Sequence, residues 1–322
     1  MAREVPLPVP APNEVLLQVQ ALSLNALDLL VVKGIINPGL SLPHVPVCDA
    51  AGTVAAVGAD VTTLAIGDEV TSLFVPQWRE GVPTPAKTDN RRRPGLGLPG
   101  FLAEYVTVPA EALLRRPAYL TPTEAATLPI AGLTAWNALK YSHTQPGEIV
   151  LVHGTGGVAL FALQFAKARG ARVAITSKED AKLVRARALG ADYTFNYATR
   201  PEWVNDLLAR TDGHGADAVL ETVGGDNLTH SLQALATRGR LVIMGLQKGT
   251  QAPLDVPTLM SKQAGIIGME VGSTEDFRSM NQALEASGLR PVVDQVFPVD
   301  KVQDALRSLE AGSHFGKICL TF

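Results

Sequence analysis

The stretch EIVLVHGTGGVA, residues 148–159, decides the fold of this 322-residue chain. Its first half is a short apolar run, which is typical of a strand buried on both faces. Its second half, Gly154-Thr155-Gly156-Gly157-Val158-Ala159, fits the pattern G-x-G-x-x-G/A between a strand and a helix. Small residues there let backbone N–H groups approach a pyrophosphate, and the helix N-terminus favours negative charge. We therefore predict a dinucleotide-binding turn, with a purely structural tight turn as the alternative.

Strands and helices alternate on the C-terminal side of this turn. Apolar runs predict further strands at 172–176, 193–195, 216–220, 240–244 and 266–269. Helical spacing predicts helices at 158–169, 178–189, 201–210 and 228–236, with Ser177 as an N-cap and Pro201 in the first turn. This rhythm indicates crossover units, a parallel sheet and a doubly wound fold of class α/β.

The N-terminal third has a different pattern. Short strands are predicted at 15–20, 52–57, 69–74 and 105–108, and antiparallel pairing suits them best. A strand at 295–299, a helix at 302–309 and a strand at 318–322 can return to the same domain. Residues 77–100 form the longest insert without a predicted element, and loops of that length are uncommon unless they are functional or disordered.

Composition excludes several classes of protein. Hydrophobic residues make up 46% and charged residues 18%, and the net charge of −3 gives no polybasic surface for nucleic acid. Two cysteines exclude a disulfide scaffold and are compatible with a reducing cytoplasm. The apolar stretch 15–32 contains five polar residues, so it is not a membrane span. We expect a cytoplasmic protein with a small-molecule partner and no membrane or nucleic-acid partner.

The residues at the end of the second predicted strand indicate which nicotinamide cofactor the turn would bind. NAD-binding turns place an acidic residue there for the ribose hydroxyls, whereas this chain has Thr176, Ser177 and Lys178. A hydroxyl and an ammonium favour a 2′-phosphate, so we predict NADP(H). The alternatives are that Ser177 only caps a helix, that Lys178 is a surface lysine, or that Glu179 or Asp180 supplies the acid.

Several motifs together resemble the medium-chain dehydrogenase/reductase superfamily. They are HGTGGVALFALQFAKARGARV at 153–173, ALGADYTFNY at 188–197, ETVGG at 221–225, GRLVIMG at 239–245, SLNALDLLVVKG at 23–34, VPVCDAAGTVAAVG at 45–58, ATLPIAGLTAWNAL at 126–139 and GSHFGKICL at 312–320. The resemblance implies a GroES-like, β-rich catalytic domain at residues 1–111 and 273–322. It implies a Rossmann domain inserted at 112–272, with the active site in the cleft between them.

The resemblance also identifies the positions at which relatives bind zinc. Zinc-dependent relatives bind a catalytic zinc through Cys, His and Cys, and the matching positions here are Asn25, Cys48 and a residue close to Ala131. One sulfur among three positions does not suit zinc. The insert 77–100 has no cysteine for a structural zinc, and His44 is expected to be structural. We therefore predict no metal.

Zinc-free members of the superfamily resemble quinone oxidoreductases and enoyl reductases, which transfer hydride from NADPH to a quinone or an electron-poor C=C bond. Asn25-x-x-Asp28 fits a motif of that branch, and the resemblance places Asn25 beside the nicotinamide as the candidate catalytic residue. Asn25 could instead be a turn residue. Some relatives carry a tyrosine soon after this motif, where this chain has Leu29-Leu30-Val31, so solvent is the expected proton source.

Other site residues are implied by the same resemblance. Thr134, Gly245 and Leu246 should lie near the nicotinamide, Tyr197 near adenine or the 2′-phosphate, and Lys317 should reach the cofactor from the other domain. The alternatives are a helix cap at Thr134, an ordinary aromatic at Tyr197 and a surface lysine at 317. Phe74 and Trp78 are predicted to form an apolar wall over the substrate, with the insert as a lid.

We expect an NADP(H)-dependent, zinc-independent oxidoreductase that forms a homodimer and reduces a quinone, an enone or a similar activated substrate. A metal-free alcohol or aldehyde dehydrogenase is an alternative. From another class, the alternative is an NADPH-binding structural or regulatory protein with little turnover. Fold alone does not fix the substrate.

Overall fold

A computed structural model describes residues 3–322 of the chain. The strands are β1 Glu14–Ser23, β2 Asp49–Val57, β3 Glu69–Ser72, β4 Tyr105–Pro109, β5 Leu113–Arg115, β6 Ile149–His153, β7 Arg172–Ser177, β8 Tyr193–Asn196, β9 Ala216–Glu221, β10 Leu235–Ile243, β11 Gly265–Gly268, β12 Val293–Pro298 and β13 Lys317–Thr321. The helices are α1 Ala26–Val32, α2 Pro122–Ala125, α3 Leu133–Tyr141, α4 Gly157–Ala168, α5 Asp180–Ala188, α6 Trp203–Arg210, α7 Asn227–Ala234, α8 Val256–Lys262, α9 Thr274–Ser287 and α10 Val302–Ala311.

The chain divides into two compact units. The first unit runs as far as Leu133 and resumes at Gly272–Phe322, and the second unit is Thr134–Val271. Residues 112–133, assigned to the Rossmann domain from sequence, lie in the first unit, because β5 pairs with β3. Within residues 3–322, no helix combines the length and the apolar character needed to cross a membrane.

The second unit contains a six-stranded parallel sheet in the order β11-β10-β9-β6-β7-β8. Numbered within the unit from β6, the order starting at β8 is 3-2-1-4-5-6, which is that of a doubly wound dinucleotide-binding fold. The predicted fold of this region is confirmed. The strand order reverses between β6 and β9, so the loops after these strands diverge and leave a crevice at their carboxyl ends.

The core of the second unit explains the apolar run that precedes the glycine turn. All five residues of β6 are buried, because the strand is central in the sheet and helices cover both faces. Leu151 packs in one cluster with Trp203, Leu207 and Leu232. On α4, the residues Ala159–Leu163, Phe165 and Ala166 are buried, so nearly the whole helix is apolar.

The first unit contains a mainly antiparallel sheet in the order β12-β13-β1-β2-β3-β5, with β4 also paired to β1. The C-terminal segment returns to this sheet as predicted, and Leu22 on β1 lies opposite Leu320 on β13. The exception to antiparallel pairing is β12 with β13, which is parallel because α10 connects them as a crossover.

Some predicted boundaries are wrong. Ser177 does not cap a helix: it is the last residue of β7, and its Oγ accepts a hydrogen bond from the Glu179 N–H at 3.3 Å. This local turn delays α5 to Asp180. Helix α6 begins at Trp203 and not at Pro201, and β10 begins at Leu235, before an irregularity at Arg238, whose φ is 61°.

The insert 77–100 is part of the first unit, and its last residues pack against the segment that leads into β2. It contains one 3₁₀ turn, Asn90–Arg92, with Asp89 as its cap. Gly95 has a φ of 73°, and a Cβ there would lie 2.9 Å from the Cys48 Sγ. A Cβ on Gly100 would lie 2.3 Å from the Val47 carbonyl oxygen. Glycine at both positions lets the insert approach the segment that leads into β2.

Candidate active site

The glycine turn connects β6 to α4. Gly154 has a φ of 77°, which only glycine adopts readily, and Gly156 is the N-cap of α4. A Cβ added to Gly154 or Gly156 would meet no atom of the chain within 4 Å. The turn therefore leaves space against exposed backbone at the start of a 12-residue helix. A pyrophosphate fits such a place, because helix N–H groups and the helix dipole stabilise negative charge.

The ends of β7 and β8 lie side by side next to this turn. The Tyr197 N–H donates to the Ser177 carbonyl at 3.1 Å, and the Gly154 N–H donates to the Thr176 carbonyl at 3.0 Å. Ser177 is buried, Lys178 is exposed, and Tyr197 is 38% exposed. The residues predicted for the adenosine side of the cofactor are therefore gathered at one edge of the sheet.

The two carboxylates after Lys178 are engaged elsewhere. Glu179 pairs with Lys182 at 3.2 Å, and the Asp180 carboxylate accepts from the Asn196 amide at 2.8 Å. Sequence reasoning missed Lys182 and also Lys248, whose ammonium lies 5.9 Å from the centre of the Tyr197 ring. Lys182 comes three residues after Glu179, and this spacing in a helix predicts an ion pair between the two side chains.

A buried polar network lies beneath the glycine turn. His153 Nε2 is 2.8 Å from Ser231 Oγ, which donates to the Glu221 carboxylate, and His153 Nδ1 is 3.2 Å from Thr176 Oγ1. Burial lowers the pKa of His153, against the opposing effect of Glu221. Although burial acts to raise the pKa of Glu221, His153 and hydrogen bonds from Ser231 and backbone hold it below its usual value. The network joins the ends of β6, β7 and β9 to α7.

Three residues predicted near the nicotinamide lie in the second unit. A Cβ on Gly245 would lie 2.0 Å from the Thr222 carbonyl oxygen, so only glycine allows the chain to pass the end of β9 so closely. Leu246 follows it and is 51% exposed. Thr134 is buried inside α3, so it is not the N-cap of that helix.

The first unit contains a second polar cluster, around Asn25. Lys317 Nζ donates to Asn25 Oδ1 at 2.6 Å and to the Leu24 carbonyl at 2.6 Å. Asn25 Nδ2 donates to Asp49 Oδ2 at 2.8 Å. Asp28 accepts from the Asn25 N–H at 2.8 Å and from the Cys48 N–H at 2.9 Å. Lys317 is 4% exposed, so the alternative of a surface lysine is wrong.

Burial controls the charges of this cluster. It raises the pKa of Asp49 to about 7, although Lys317 and Asn25 oppose the shift. It also raises the pKa of Asp28 and lowers that of Lys317. Burial, followed by the charges of Asp28 and Asp49, raises the pKa of the Cys48 thiol well above its usual value. The thiol therefore stays protonated near neutral pH.

The donor atoms around Asn25 do not suit zinc. Cys48 is a buried thiol, Asn25 offers only an amide, and no group of three or more His, Cys, Asp or Glu side chains in residues 3–322 could hold a metal ion. Asn25 is at the position that matches a zinc ligand, and its oxygen already accepts a hydrogen bond from the Lys317 ammonium. Zinc chemistry therefore has no support from these residues.

The two aromatic residues predicted to line the substrate site are both buried. Trp78 is 3% exposed, and its indole N–H donates to the Gly81 carbonyl at 2.8 Å. Phe74 is 4% exposed, with the Arg93 guanidinium 5.2 Å from its ring centre. Arg93 is also buried, whereas Arg91 is exposed and pairs with Asp89. The basic run 91–93 is thus only partly solvated.

A glycine turn on the first strand of a doubly wound sheet is typical of proteins that bind a dinucleotide, a class that includes the nicotinamide-dependent oxidoreductases. Comparison with known families agrees: residues 11–118 match the alcohol dehydrogenase GroES-like domain, and residues 157–286 match the zinc-binding dehydrogenase family. The chain belongs to the medium-chain dehydrogenase/reductase superfamily and is an oxidoreductase of that family.

Individual relatives cover nearly the whole chain. A zinc-type alcohol dehydrogenase-like protein of Schizosaccharomyces pombe, C1773.06c, is 40% identical over 96% of this chain and 91% of the relative. A quinone oxidoreductase of Sus scrofa is 29% identical over 94% of this chain and 87% of the relative. The crystal structure of an NAD-dependent alcohol dehydrogenase has a TM-score of 0.90 at 36% identity, covering 99% of this chain and 95% of that one.

Replacing Gly156 by valine tests the glycine turn. The φ of −80° suits valine and the space beside Gly156 is open, so we expect Gly156→Val to fold but to bind NADPH at least tenfold more weakly. Gly39→Val is the matched control, because a Cβ there also meets no atom within 4 Å. Fluorescence titration with NADPH measures both. Normal affinity in a folded Gly156→Val protein would show that the turn is only structural.

The raised pKa of Asp49 predicts a pH dependence of stability. Between the ordinary value of 3.8 and about 7, the folded protein keeps a proton that the unfolded chain has released. Stability should therefore fall as pH rises through this window. Thermal unfolding of Asp49→Asn and wild type from pH 4.5 to 8 measures it, with exposed Asp60→Asn as control. A difference between Asp49→Asn and wild type that does not change with pH would contradict the prediction.

Proposed function

We propose that this protein is an NADP(H)-dependent, zinc-independent oxidoreductase that reduces a quinone, an enone or a similar activated substrate. The observation that carries the proposal is the pairing of a glycine turn that fits a pyrophosphate with an Asn25 site in which a lysine bonds to the residue that matches a zinc ligand. The first feature supports a nicotinamide cofactor, and the second supports chemistry without zinc.

The preference for NADP(H) is supported by the end of β7. Ser177 and Lys178 take the place where an NAD-binding strand carries an acid, and both nearby carboxylates have partners of their own. Lys248 adds positive charge beside Tyr197 at the same edge. One similar structure is named NAD-dependent, so the preference proposed here depends on these residues of this chain.

In this proposal the bound cofactor supplies the hydride, and the chain binds and orients the reactants. The turn residues Gly154–Val158 hold the pyrophosphate. Thr134, Gly245 and Leu246 flank the nicotinamide, Tyr197 lies on the adenosine side, and Asn25 contacts the nicotinamide. Phe74 and Trp78 shape the apolar wall that adjoins the substrate. Because Leu29-Leu30-Val31 carries no tyrosine, water is the proposed source of the proton that follows hydride transfer.

A metal-free alcohol dehydrogenase is the second candidate, and the names of several relatives favour it. It would use the same cofactor site and differ in the substrate that accepts or donates hydride. A cofactor-binding regulatory protein, the remaining alternative, would bind NADPH with little turnover. Cytoplasmic location belongs to the proposal and is compatible with two free, buried thiols, Cys48 and Cys319.

We also propose a homodimer formed through β11. This strand is at the edge of its sheet, so its outer backbone groups are available for pairing. Ile266 on this strand is 38% exposed. Two copies of one edge strand can pair antiparallel about a two-fold axis. Light scattering should give twice the mass of the chain, and Ile267→Pro on β11 should give the monomer; a monomeric wild type would contradict the proposal.

Removing the charge at residue 178 tests the cofactor preference. A hydrogen bond to a charged group contributes about 1.5–3 kcal/mol, and exposure of Lys178 favours the low end. Lys178→Ala should weaken NADPH binding about tenfold and leave NADH nearly unchanged. Lys178→Arg keeps the charge and is the control. Titrations at two salt concentrations should show the preference shrinking with salt. Equal losses for both cofactors would exclude contact with the 2′-phosphate.

Turnover in the presence of chelator tests the reaction and the metal together. The purified protein should oxidise NADPH with a quinone or an enone at an unchanged rate after prolonged treatment with EDTA. Elemental analysis should find no stoichiometric zinc. Activity confined to alcohols would favour the second candidate, and binding without turnover would favour the regulatory alternative. One zinc per chain, lost together with activity, would overturn zinc independence.

A further inference from the structure

His153 is the last residue of β6, directly before the glycine turn, and its ring is buried. Its Nε2 lies 2.8 Å from Ser231 Oγ on α7, and its Nδ1 lies 3.2 Å from Thr176 Oγ1 on β7. The ring also packs edge-on against Trp203, with 5.7 Å between the ring centres. Both ring nitrogens therefore have hydroxyl partners inside the second unit.

Glu221, the last residue of β9, is the acceptor at the other end of this network. Its Oε1 accepts from the N–H groups of Val223 at 2.6 Å and Gly224 at 3.0 Å. Its Oε2 accepts from the Asn227 amide at 2.8 Å and from the Ser231 hydroxyl. This set of donors favours the ionised form of the carboxylate.

The charged groups around His153 leave its ring neutral. Burial lowers the pKa of His153, and Glu221 on β9 acts to raise it. His230 on α7 and Lys248 after β10 act to lower it further. The pKa is therefore below the ordinary value of 6.5, and the ring carries a single N–H at neutral pH and above.

The partners of the ring determine which nitrogen carries this proton. An ionised carboxylate only accepts, so Ser231 must donate to Glu221, and the Ser231 oxygen accepts from His153 Nε2–H. Nδ1 is then an acceptor, and the Thr176 hydroxyl donates to it. The Gly154 N–H donates to the Thr176 carbonyl at 3.0 Å and weakly to its Oγ1 at 3.4 Å. The hydrogen bonds thus run in one direction, from the glycine turn to Glu221.

The same residues join two loops of the second unit. Thr222 Oγ1, in the loop after β9, donates to the His153 carbonyl at 3.1 Å. Glu221 holds the backbone of that loop through the N–H groups of residues 223 and 224. The strand order reverses between β6 and β9, so the loops that follow these two strands border the crevice for a dinucleotide.

We propose that His153, Ser231 and Glu221 are positioning residues for the cofactor. Glu221 sets the tautomer of His153 through Ser231, and the one-way series of hydrogen bonds holds the glycine turn in the shape that binds the pyrophosphate. The inference rests on the proposed function, in which this turn holds the pyrophosphate. With the ring proton on Nδ1 instead, the Thr176 hydroxyl would lose its acceptor, and its own proton would compete with the Gly154 N–H.

Replacing Ser231 by alanine interrupts the series between His153 and Glu221. We expect Ser231→Ala to weaken NADPH binding about tenfold in calorimetric titrations, because the turn loses its support. Adenosine 2′-phosphate, which has no pyrophosphate, should bind as it does to the wild type. Ser142→Ala is the matched control, because Ser142 is buried in the second unit and its Oγ lies 2.7 Å from Thr144 Oγ1, outside the network. Thermal unfolding of each variant checks that it is folded during the titration.

The tautomer of His153 is a second readout, and it needs no variant that disturbs the network. In protein labelled with ¹⁵N-histidine, the chemical shifts of the two ring nitrogens show which of them carries the proton. We expect the Nε2–H form in the wild type at pH 8. A purely structural role for the network would not require this form.

Glu221→Gln should reverse the tautomer. The backbone N–H groups after β9 keep the side-chain oxygen in the place of Oε1, so the new N–H₂ faces Ser231. Ser231 must then donate to Nε2, which moves the ring proton to Nδ1. Asp217→Asn is the matched control, because Asp217 lies 2.9 Å from Nε2 of a different histidine, His214, and should leave the His153 tautomer unchanged.

Four results would overturn the inference. They are wild-type NADPH affinity in folded Ser231→Ala, equal losses for NADPH and adenosine 2′-phosphate, an Nδ1–H or doubly protonated His153 in the wild type, and an unchanged tautomer in Glu221→Gln. A wild-type protein that does not bind NADPH would overturn the proposed function and this inference with it. The two failures are distinguishable, because the positioning inference can fail while the wild type still binds NADPH.

Discussion

The buried ammonium of Lys317 is the constraint on which the first unit depends. Removing a charge from water is costly unless hydrogen bonds and opposite charge compensate for it. Here the compensation comes from the Leu24 carbonyl, the Asn25 amide and the fields of Asp49 and Asp28. Lys317 is separated from Leu24 and Asn25 by almost the whole chain, so β13 must pair with β1 before the ammonium is compensated. One consequence is a rigid amide at Asn25.

The second unit is organised around the ends of its central strands. Parallel pairing places the carboxyl ends of β6, β7 and β9 at one edge, and the reversal of strand order opens space there for a dinucleotide. His153, Glu221 and Ser231 connect these ends beneath the glycine turn. Because every polar group in such a buried network needs a partner, the network favours the one arrangement of the strand ends in which all of them are satisfied. The backbone N–H groups of the glycine turn are thereby held in position.

Local patterns were sufficient to predict much of this architecture. The apolar run of β6, the small residues 154–159 and the apolar face of α4 specify a strand, turn and helix within one window of sequence. The return of the C-terminal segment followed from its strand and helix pattern and from the family resemblance. Local rules failed at Ser177, because a hydroxyl that could cap a helix instead accepts from Glu179 and ends the strand.

The polar cluster could not be predicted from sequence, because its members are far apart in the chain. Lys317 and Asn25 are separated by 292 residues, and a lone lysine or aspartate is expected at the surface. Only tertiary pairing makes their burial favourable. The packed insert is a similar case, since Gly95 and Gly100 face Val47–Cys48 through contacts that no local pattern reveals.

A crystal structure of the protein soaked with NADP⁺ tests the central claim most directly. We expect the pyrophosphate against the backbone N–H groups of residues 154–158, and a 2′-phosphate oxygen within hydrogen-bonding distance, about 2.7–3.2 Å, of Lys178 Nζ. A metal ion bound among Asn25, Cys48 and Asp49, or a dinucleotide bound away from the glycine turn, would contradict it.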